Sequence, residues 1–493
     1  MSNNYVPTIG IEVHAQLKTE SKMYCACSTA FGEKPNTHTC PVCLGLPGSL
    51  PRVNSKAVVL GLKAARALHC VIPPVAQFAR KNYFYPDLPK GYQITMSQFP
   101  IGTEGRLDLM DEHDKLTKGT AIERVHLEED TAKLFHQAEA GTYIDFNRAG
   151  LPLLEIVSKP VIKSGQEAVR YLKELKRLLW FLDISDANME EGNLRCEINI
   201  SLSPEDSEVL GTKVEIKNLN SFRAVEHSID FEIKRQTKFL FGGQKVIMET
   251  RAWDENIDQT VHLRFKETAS EYRYMPEPDI PDIALDGGIM NESAFDLADI
   301  PARRVSELIE RFGVPPFGAN LMLSGTGVSD DKRYFMADFL VEAIDRHGAQ
   351  GTQAANLMTG TVFEFINRTG RTLDQTDFTP KKLAEITKLV SKEEISITNA
   401  KKALSLLLEH GGKVKNIVHR EGFVQVTEED ELVTLVKDVM EENEHIVETI
   451  RKGKENAIGA LVGEAMKKSK GQADPRRVNE LFRELILNKR HQR

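Results

Sequence analysis

The chain has 493 residues, 41% of them hydrophobic, which is enough for two to four domains with ordinary cores. Its formal net charge is −8, and no run approaches the roughly eighteen apolar residues that a membrane-spanning helix needs, so composition argues against a membrane protein and against a uniformly basic nucleic-acid binder. The first residues lack the pattern of a signal peptide and there are only six cysteines, so we expect a cytoplasmic protein without disulfides.

The first predicted element is a strand over residues 8–17. Side chains alternate between the two faces of a strand, so Glu12 and His14 share one face while Ile11 and Val13 point into a core. A carboxylate and an imidazole on one face can bind a metal or transfer a proton, although such a pair is more often part of a solvated face.

Four cysteines follow within nineteen residues, at Cys25, Cys27, Cys40 and Cys43. Two close pairs of thiols predict a structural zinc site, in which four protein ligands leave no open position for a substrate. The alternative is four reduced, half-buried cysteines. The other two, Cys70 and Cys196, are predicted core residues; a nucleophilic role for Cys196 stays open, but no base stands beside it in the sequence.

Residues 1–295 are predicted to form one β-rich domain with a mixed or antiparallel sheet. Strand patterns recur at residues 8–17, 120–130, 142–147, 194–202, 211–217 and 246–252. Helices are predicted at residues 55–68, 165–182 and 222–239, the second of them opened by a capping box between Ser164 and Glu167.

Two segments of this domain, residues 80–90 and 271–279, interleave basic, aromatic and proline residues. Aromatic rings beside cations can stack on a base while the cations hold phosphates. The candidates for binding a nucleotide in this way are Lys81, Tyr83, Tyr85 and Tyr274. Any single tyrosine could instead pack under a proline-rich loop, but together the two segments are predicted to form walls of a ligand cleft.

Carboxylates are concentrated at Glu128, Glu129 and Asp130, where they repel one another unless a cation lies among them. The alternative is an exposed acidic turn, against which the neighbouring apolar residues argue. A further carboxylate, Glu155, lies within the apolar run 151–157 and needs a metal or an arginine as its partner.

The segments around residues 195 and 215 alternate most cleanly, and if they pair, one sheet face carries Arg195, Glu197, Asn199, Lys213, Glu215 and Lys217. This face is either a solvated surface with cross-strand ion pairs or a platform for phosphate and Mg²⁺. The sequence contains no P-loop, no dinucleotide-binding glycine motif and no nucleophile elbow, so any use of ATP requires a non-standard site.

From residue 296 onward the apolar residues follow helical periods, which predicts a helical domain over residues 296–400 and an all-helical tail domain over residues 401–493. Residues 451–493 contain twelve Lys and Arg against five Asp and Glu, so this segment carries +7 and the preceding residues −15. Such asymmetry indicates a basic surface for RNA, with the alternative of a solvated helical surface. The candidate contacts are Arg451, Lys452, Lys454, Lys467, Lys468 and Lys470.

Eight blocks spread along almost the whole chain carry a resemblance to a known family. They read IGIEVHAQL, RKNYFYPDLPKGYQIT, VHLEEDTAK, DFNRAGLPLLEIVSKP, EEGNLRCEINISL, KVEIKNLNSF, YRYMPEPDIP and GALVGEAMKKSKGQADP. Together they resemble the B subunit of the bacterial-type aspartyl/glutamyl-tRNA amidotransferases. The resemblance implies an α+β protein with an N-terminal cradle domain, a helical domain and a tail that contacts tRNA.

The resemblance also implies an activity. Family members use ATP and Mg²⁺ to phosphorylate the side-chain carboxylate of Glu-tRNA(Gln) or Asp-tRNA(Asn), and ammonia then replaces the phosphate to give Gln-tRNA(Gln) or Asn-tRNA(Asn). The implied partners are the A subunit, which is an amidase that supplies the ammonia, and the small C subunit, in a heterotrimer without a membrane component. The alternative function is a non-catalytic RNA-binding scaffold that positions tRNA for a partner.

Site roles follow from the same resemblance. It implies that Mg²⁺ is bound by Glu12, His14, Glu155 and one glutamate of the HLEED block, either Glu128 or Glu129. It also implies that the cysteine quartet binds zinc in some members and is replaced in others. For the catalytic site we predict Glu12 and His14 from this resemblance, and Arg195, Lys213 and Lys217 of the charged sheet face as phosphate-binding cations.

Overall fold

The structure is a computed structural model, and it describes residues 5–111, 113–137, 141–265, 272–324, 335–424, 429–469 and 472–487. The chain divides into two compact units, Met1–Ser306 and Glu307–Arg493. The first unit contains the described strands and the second is helical, which confirms the predicted α+β class. The predicted further division near residue 400 stays a prediction.

A twelve-stranded sheet is the framework of the first unit, and a short hairpin stands apart from it. From one edge the main order is β12-β11-β10-β9-β1-β8-β5-β3-β2-β13, with β14 paired to β2 and β4 paired to β5. The bounds are β1 (Tyr5–Gln16), β2 (Val75–Asn82), β3 (Tyr92–Phe99), β4 (Gly102–Met110), β5 (Leu116–Glu129), β6 (Lys133–Gln137), β7 (Gly141–Asp145), β8 (Pro152–Ser158), β9 (Leu194–Pro204), β10 (Val214–Lys217), β11 (Glu249–Asp254), β12 (Gln259–Phe265), β13 (Met275–Pro276) and β14 (Ile283–Ala284).

Helices cover one face of this sheet because the strands alternate apolar and polar residues. The helices of this unit are α1 (Ser55–Ala67), α2 (Gly165–Phe181), α3 (Phe222–Phe241) and α4 (Gly287–Glu292). Ile11 and Val13 of β1 are fully buried in the core beneath them, as predicted, whereas Glu12 and His14 point to the opposite face. The sheet therefore presents its polar face as the place for a site.

Local signals explain where the helices begin. The Ser164 hydroxyl accepts a hydrogen bond from the amide of Glu167 at 3.1 Å, which caps α2 as predicted. The carboxylate of Glu167 accepts from the amide of Lys163, one residue earlier than the capping box requires. Ser221 caps α3 in the same manner, through the amide of Ala224.

The predicted core cysteines lie where the sequence indicated. Cys196 of β9 is 4% exposed and Cys70 is partly buried. Burial raises the pKa of both thiols to about 12, so they stay protonated at neutral pH and the nucleophilic alternative for Cys196 is disfavoured.

The remaining helices run along the chain from residue 301. They are α5 (Pro301–Phe312), α6 (Pro316–Met322), α7 (Phe335–Asp345), α8 (Gly351–Leu357), α9 (Phe363–Thr369), α10 (Pro380–Ser391), α11 (Ile397–His410), α12 (Val414–Arg420), α13 (Glu429–Glu442), α14 (Glu444–Arg451), α15 (Ile458–Lys468) and α16 (Pro475–Leu487). A π-helical turn, Met358–Val362, joins α8 to α9. The helices α13 to α16 share a core built around Val436, Leu461 and Phe482. Across the described ranges, no helix has the length and apolar character needed to cross a membrane.

Candidate functional site

Three adjacent strands, β5, β8 and β1, place polar side chains in one row across the open face of the sheet. In the antiparallel register His126 lies opposite Glu155, and Glu155 lies opposite His14. Directly opposite residues on neighbouring strands have side chains in contact distance, so strand pairing brings these side chains together. Glu128, two residues after His126, completes it from β5.

The ligand atoms of His14, Glu128 and Glu155 all lie within 4.8 Å of one another. His14 Nε2 is 3.3 Å from Glu128 Oε1 and 3.4 Å from Glu155 Oε2. An octahedral ion with bonds of about 2.1 Å has neighbouring donors about 3 Å apart, so a divalent cation fits with only a small contraction. The structure thus brings together three of the predicted metal ligands.

Strong coupling between imidazoles and carboxylates marks this group. Burial would lower the pKa of His14, but hydrogen bonds and charge from Glu128 and Glu155 raise it well above 6.5. Burial and the charge of Glu155 would raise the pKa of Glu128, but hydrogen bonds with His126 and His14 lower it to about 2. Without a bound ion the group therefore holds carboxylates and protonated imidazoles at neutral pH.

His126 was not among the predicted site residues, although it stands two residues before Glu128 and so shares its face. The side chain is 2% exposed, and its Nε2 lies 3.1 Å from Glu155 Oε2 and 3.8 Å from Glu128 Oε2. Burial would lower the pKa of His126, but Glu155 and Glu128 raise it to about 9. His126 thus lies beside both metal-site carboxylates.

Glu12 lies beside the group rather than within it. Its carboxylate accepts a hydrogen bond of 2.7 Å from the side-chain amide of Asn199 on β9. The amide oxygen of Asn199 is buried and has no hydrogen-bond partner among the described atoms. A bound cation or its water is one way to satisfy such an oxygen, so Glu12 stays a predicted fourth ligand.

The three consecutive carboxylates have three different environments, and the alternative of an exposed turn is wrong because each is at most 7% exposed. Glu128 faces the histidines. Glu129, on the other side of the strand, pairs with the ammonium of Lys90 and accepts from the amide of Ile94 at 3.0 Å. Asp130 pairs with Arg195 at 2.7 Å. Of the two glutamates left open by the sequence, Glu128 has the geometry of a ligand.

The predicted pairing of the strands around residues 195 and 215 is confirmed, since Glu215 lies opposite Asn199 in antiparallel register. The predicted phosphate cations have nearby charges or partners of their own. Arg195 pairs with Asp130, and Lys217 Nζ lies 2.7 Å from both carboxylate oxygens of Glu197. Lys213 is exposed immediately before β10. The face therefore contains one cross-strand ion pair, Lys217–Glu197, of the kind that the solvated-surface alternative expects, and phosphate binding there stays a prediction.

The two aromatic segments do meet, as expected for walls of one cleft. The ring of Tyr272 lies 6.2 Å from that of Tyr83 and 6.1 Å from that of Tyr274. Lys81 Nζ lies 4.9 Å above the Tyr272 ring. Burial would lower the pKa of Lys81, but the negative charge of the nearby Glu128, together with smaller effects of other neighbouring groups, raises this pKa. Tyr85 is 56% exposed.

The four cysteines form a second cluster, with all four Sγ atoms within 4.8 Å of one another. A tetrahedral zinc with bonds of about 2.3 Å has sulfur–sulfur edges of about 3.8 Å, and Cys43 Sγ lies 3.8 Å from Cys40 Sγ. A hydrogen bond with Cys25 and other contacts lower the pKa of Cys43 to about 5, whereas burial and its neighbours raise that of Cys27 to about 11. The donor set fits zinc.

The basic candidates of the tail lie on exposed helix ends, apart from Lys470, which is outside the described residues. Several face carboxylates, either one turn away on the same helix or on α13. Lys452 Nζ is 3.6 Å from Glu448, and Lys467 Nζ is 2.6 Å from Glu464. Lys468 Nζ is 2.6 Å from Glu442. Exposed pairs of this kind are weak, so these lysines can exchange partners for phosphates.

Comparisons with known proteins point in one direction. Residues 7–291 match the family described as the GatB/GatE catalytic domain, and residues 338–486 match the GatB domain. Three curated relatives are named as the B subunit of aspartyl/glutamyl-tRNA(Asn/Gln) amidotransferase. The chain is 40% identical to that of Thermodesulfovibrio yellowstonii over 98% of its length and 99% of the relative. It is 42% identical to the relative from Clostridium kluyveri, over 97% of this chain and 98% of the relative. It is 41% identical to the relative from Moorella thermoacetica, over 98% of this chain and 100% of the relative.

Proposed function

Because the chain belongs to the family of aspartyl/glutamyl-tRNA amidotransferase B subunits, we propose that it activates the side-chain carboxylate of a misacylated tRNA with ATP. The protein is a ligase-type component of the tRNA-dependent amidotransferase that makes Gln-tRNA(Gln) or Asn-tRNA(Asn). Activation is needed because a carboxylate oxygen is a poor leaving group. Phosphorylation turns that oxygen into a phosphate that ammonia can displace.

The observation that carries the proposal is the convergence of His14, Glu128 and Glu155 on the open face of the sheet. These residues, with Glu12 as a fourth ligand, would hold Mg²⁺, which neutralises phosphate charge when bound. An imidazole is a less usual ligand for Mg²⁺ than for softer divalent ions, so Mn²⁺ is a suitable probe of the same site.

Lys81 is available as a cation for the phosphate groups. No carboxylate oxygen in the described parts of the chain lies within 4 Å of Lys81 Nζ, whereas Arg195 and Lys217 are already paired. We therefore rank Lys81 first for contact with the nucleotide, beside Tyr83 and Tyr274. Arg195, Lys213 and Lys217 remain candidates because an arriving triphosphate can compete for their charge.

Structural zinc at the four cysteines and tRNA contact through the basic tail complete the proposal. The tetrathiolate has no open coordination position, so its role is to fix residues 25–43. The A and C subunits of the amidotransferase are proposed as partners because the relatives are named as one subunit of several and the chain contains no recognisable amidase motif. The cytoplasmic location stays a prediction from cysteine spacing.

The test uses the reconstituted complex with its amidase partner. We expect Glu128→Gln and Glu155→Gln to lower amide transfer to misacylated tRNA by about 100-fold or more, while glutamine hydrolysis by the complex continues. Mn²⁺ binding, followed by electron paramagnetic resonance, should be lost in parallel. Glu12→Ala tests the fourth ligand by the same two measurements.

The matched control is Glu104→Gln, which removes an exposed carboxylate from the neighbouring strand β4. Glu104 pairs with Lys159 at 2.5 Å and contacts none of the predicted metal ligands. This variant should keep transfer and Mn²⁺ binding at the unsubstituted level. Transfer that survives in Glu128→Gln and Glu155→Gln would refute the metal site.

A further inference from the structure

Lys22 stands out because, of the lysines that the structure describes, it alone has no solvent-exposed surface. It lies between β1 and the cysteine segment, and its side chain is 0% exposed. Burying an ammonium group is strongly unfavourable unless an opposite charge compensates it. We therefore expect a negative charge close to the Lys22 ammonium.

The contacts of the Lys22 ammonium are unusual for a buried charge. Nζ donates to the backbone carbonyl of His38 at 2.7 Å and to that of Phe146 at 3.1 Å. Its remaining contact is Cys43 Sγ, at 3.8 Å. No carboxylate of the described residues lies within ion-pair distance of Nζ. The cysteine cluster is thus the source of negative charge that touches it.

The charge of the cysteine cluster matches this need. Four thiolates around Zn²⁺ carry a formal charge of −2, which a half-buried site stabilises poorly without nearby donors or cations. An ammonium in contact with one thiolate halves that charge. Resting on the proposed zinc centre, we propose that Lys22 is the built-in counter-charge of the tetrathiolate and slows loss of its metal.

The contacts of Lys22 also link three segments of the chain. The amide of His38 donates to Asn147 Oδ1 at 2.8 Å, and the amide of Asn36 donates to Asp145 Oδ1 at 3.0 Å. These hydrogen bonds join the cysteine segment to the turn that leads from β7 to β8. Lys22 contacts the same junction through the carbonyls of His38 and Phe146.

The stem of Lys22 passes close to Gly150, which has a left-handed backbone conformation. A Cβ on Gly150 would lie 3.5 Å from Lys22 Cδ and 3.6 Å from Cys43 Cβ, and the φ of Gly150 is +86°. The amide of Met23 also donates to the carbonyl of Gly150 at 2.8 Å. The stem of Lys22 therefore lies close to Gly150 and Cys43, at the same junction that its ammonium contacts.

The experiment measures zinc in the full-length protein. Zinc content is determined by mass spectrometry, and the release rate is followed with a chromogenic chelator at one fixed pH. We expect Lys22→Gln, which keeps N–H donors on a side chain one atom shorter but has no charge, to release zinc about 10- to 100-fold faster. Lys22→Arg keeps the charge and should release zinc within about threefold of the unsubstituted rate.

The control is Lys34→Gln, which removes an exposed lysine from the same segment and should leave the rate unchanged. An unchanged release rate in Lys22→Gln overturns the inference. If Lys22→Gln does not fold, the arginine variant decides: normal zinc retention supports the counter-charge, and fast release or failure to fold overturns it. A protein that contains no zinc at all refutes the proposed zinc centre itself, which is a different result.

Discussion

The imidazole of His126 lies against the carboxylate of Glu155, with Nε2 3.1 Å from Oε2, and both side chains are almost completely buried. The same nitrogen is 3.8 Å from Glu128, so one ring spans the two carboxylates that converge with His14. His126 itself is not part of the group that could hold an ion. His126 contacts both ligand carboxylates from outside the group, which is the position of a residue that orients metal ligands.

We therefore expect His126→Leu to weaken Mn²⁺ binding by about 10- to 100-fold and to lower amide transfer with it. Because a glutamine amide can still donate to Glu155, His126→Gln should recover much of the loss. His136→Leu, which replaces an exposed histidine, is the control and should bind Mn²⁺ normally. Equal Mn²⁺ affinity in His126→Leu would show that strand pairing alone positions the carboxylates.

Metal binding at this site should release protons. In the ion-free protein the carboxylates raise the pKa of His14 well above 6.5, so its ring is protonated at pH 7 and must lose a proton to coordinate an ion. Affinity should consequently rise by up to about tenfold per pH unit from pH 6 and level off once pH exceeds the raised pKa. Calorimetric titration of Mn²⁺ in buffers with different ionisation enthalpies measures the proton count. A count of zero would contradict His14 as a ligand.

The neighbours of each lysine predict which one contacts the nucleotide. Lys81 lies over the Tyr272 ring, whereas Lys217 is held 2.7 Å from both oxygens of Glu197. A cation that already pairs with a carboxylate interacts less strongly with an added phosphate. We expect Lys81→Met to raise the KM for ATP by about tenfold or more and Lys217→Met by less than about threefold. Steady-state kinetics of the complex at saturating tRNA and glutamine provide the test, and the reverse order would restore Lys217 to first place.

Strand alternation carried much of the sequence analysis. It placed Glu12 and His14 on the polar face and Ile11 and Val13 in the core, because period-two patterns follow from backbone geometry alone. The order of the strands was not accessible in this way. Residues 14, 126 and 155 meet because β8 lies between β1 and β5, and that arrangement depends on long-range packing.

The acidic run shows the same limit in one place. Glu128 and Glu129 are adjacent in sequence but lie on opposite faces of β5, so one joins the histidines and the other pairs with Lys90. Alternation predicts that they diverge, but it cannot say which side carries the site. The neighbouring His126 was the available signal, since a histidine two residues from a carboxylate on a buried strand also marks that face.

The basic ends of the tail helices should contribute a salt-dependent part of tRNA affinity. Lys452 and Lys467 are more than 70% exposed, and each makes only an exposed ion pair. The double variant Lys452→Glu and Lys467→Glu should weaken tRNA binding and reduce the slope of log affinity against log salt by about one per lost phosphate contact. Fluorescence anisotropy of labelled tRNA with the complex measures both quantities.

The control is Lys437→Glu, which replaces an exposed lysine of α13. It reverses one charge in the same unit and should change the slope much less. If the double variant and this control behave alike, general charge rather than these helix ends attracts the RNA.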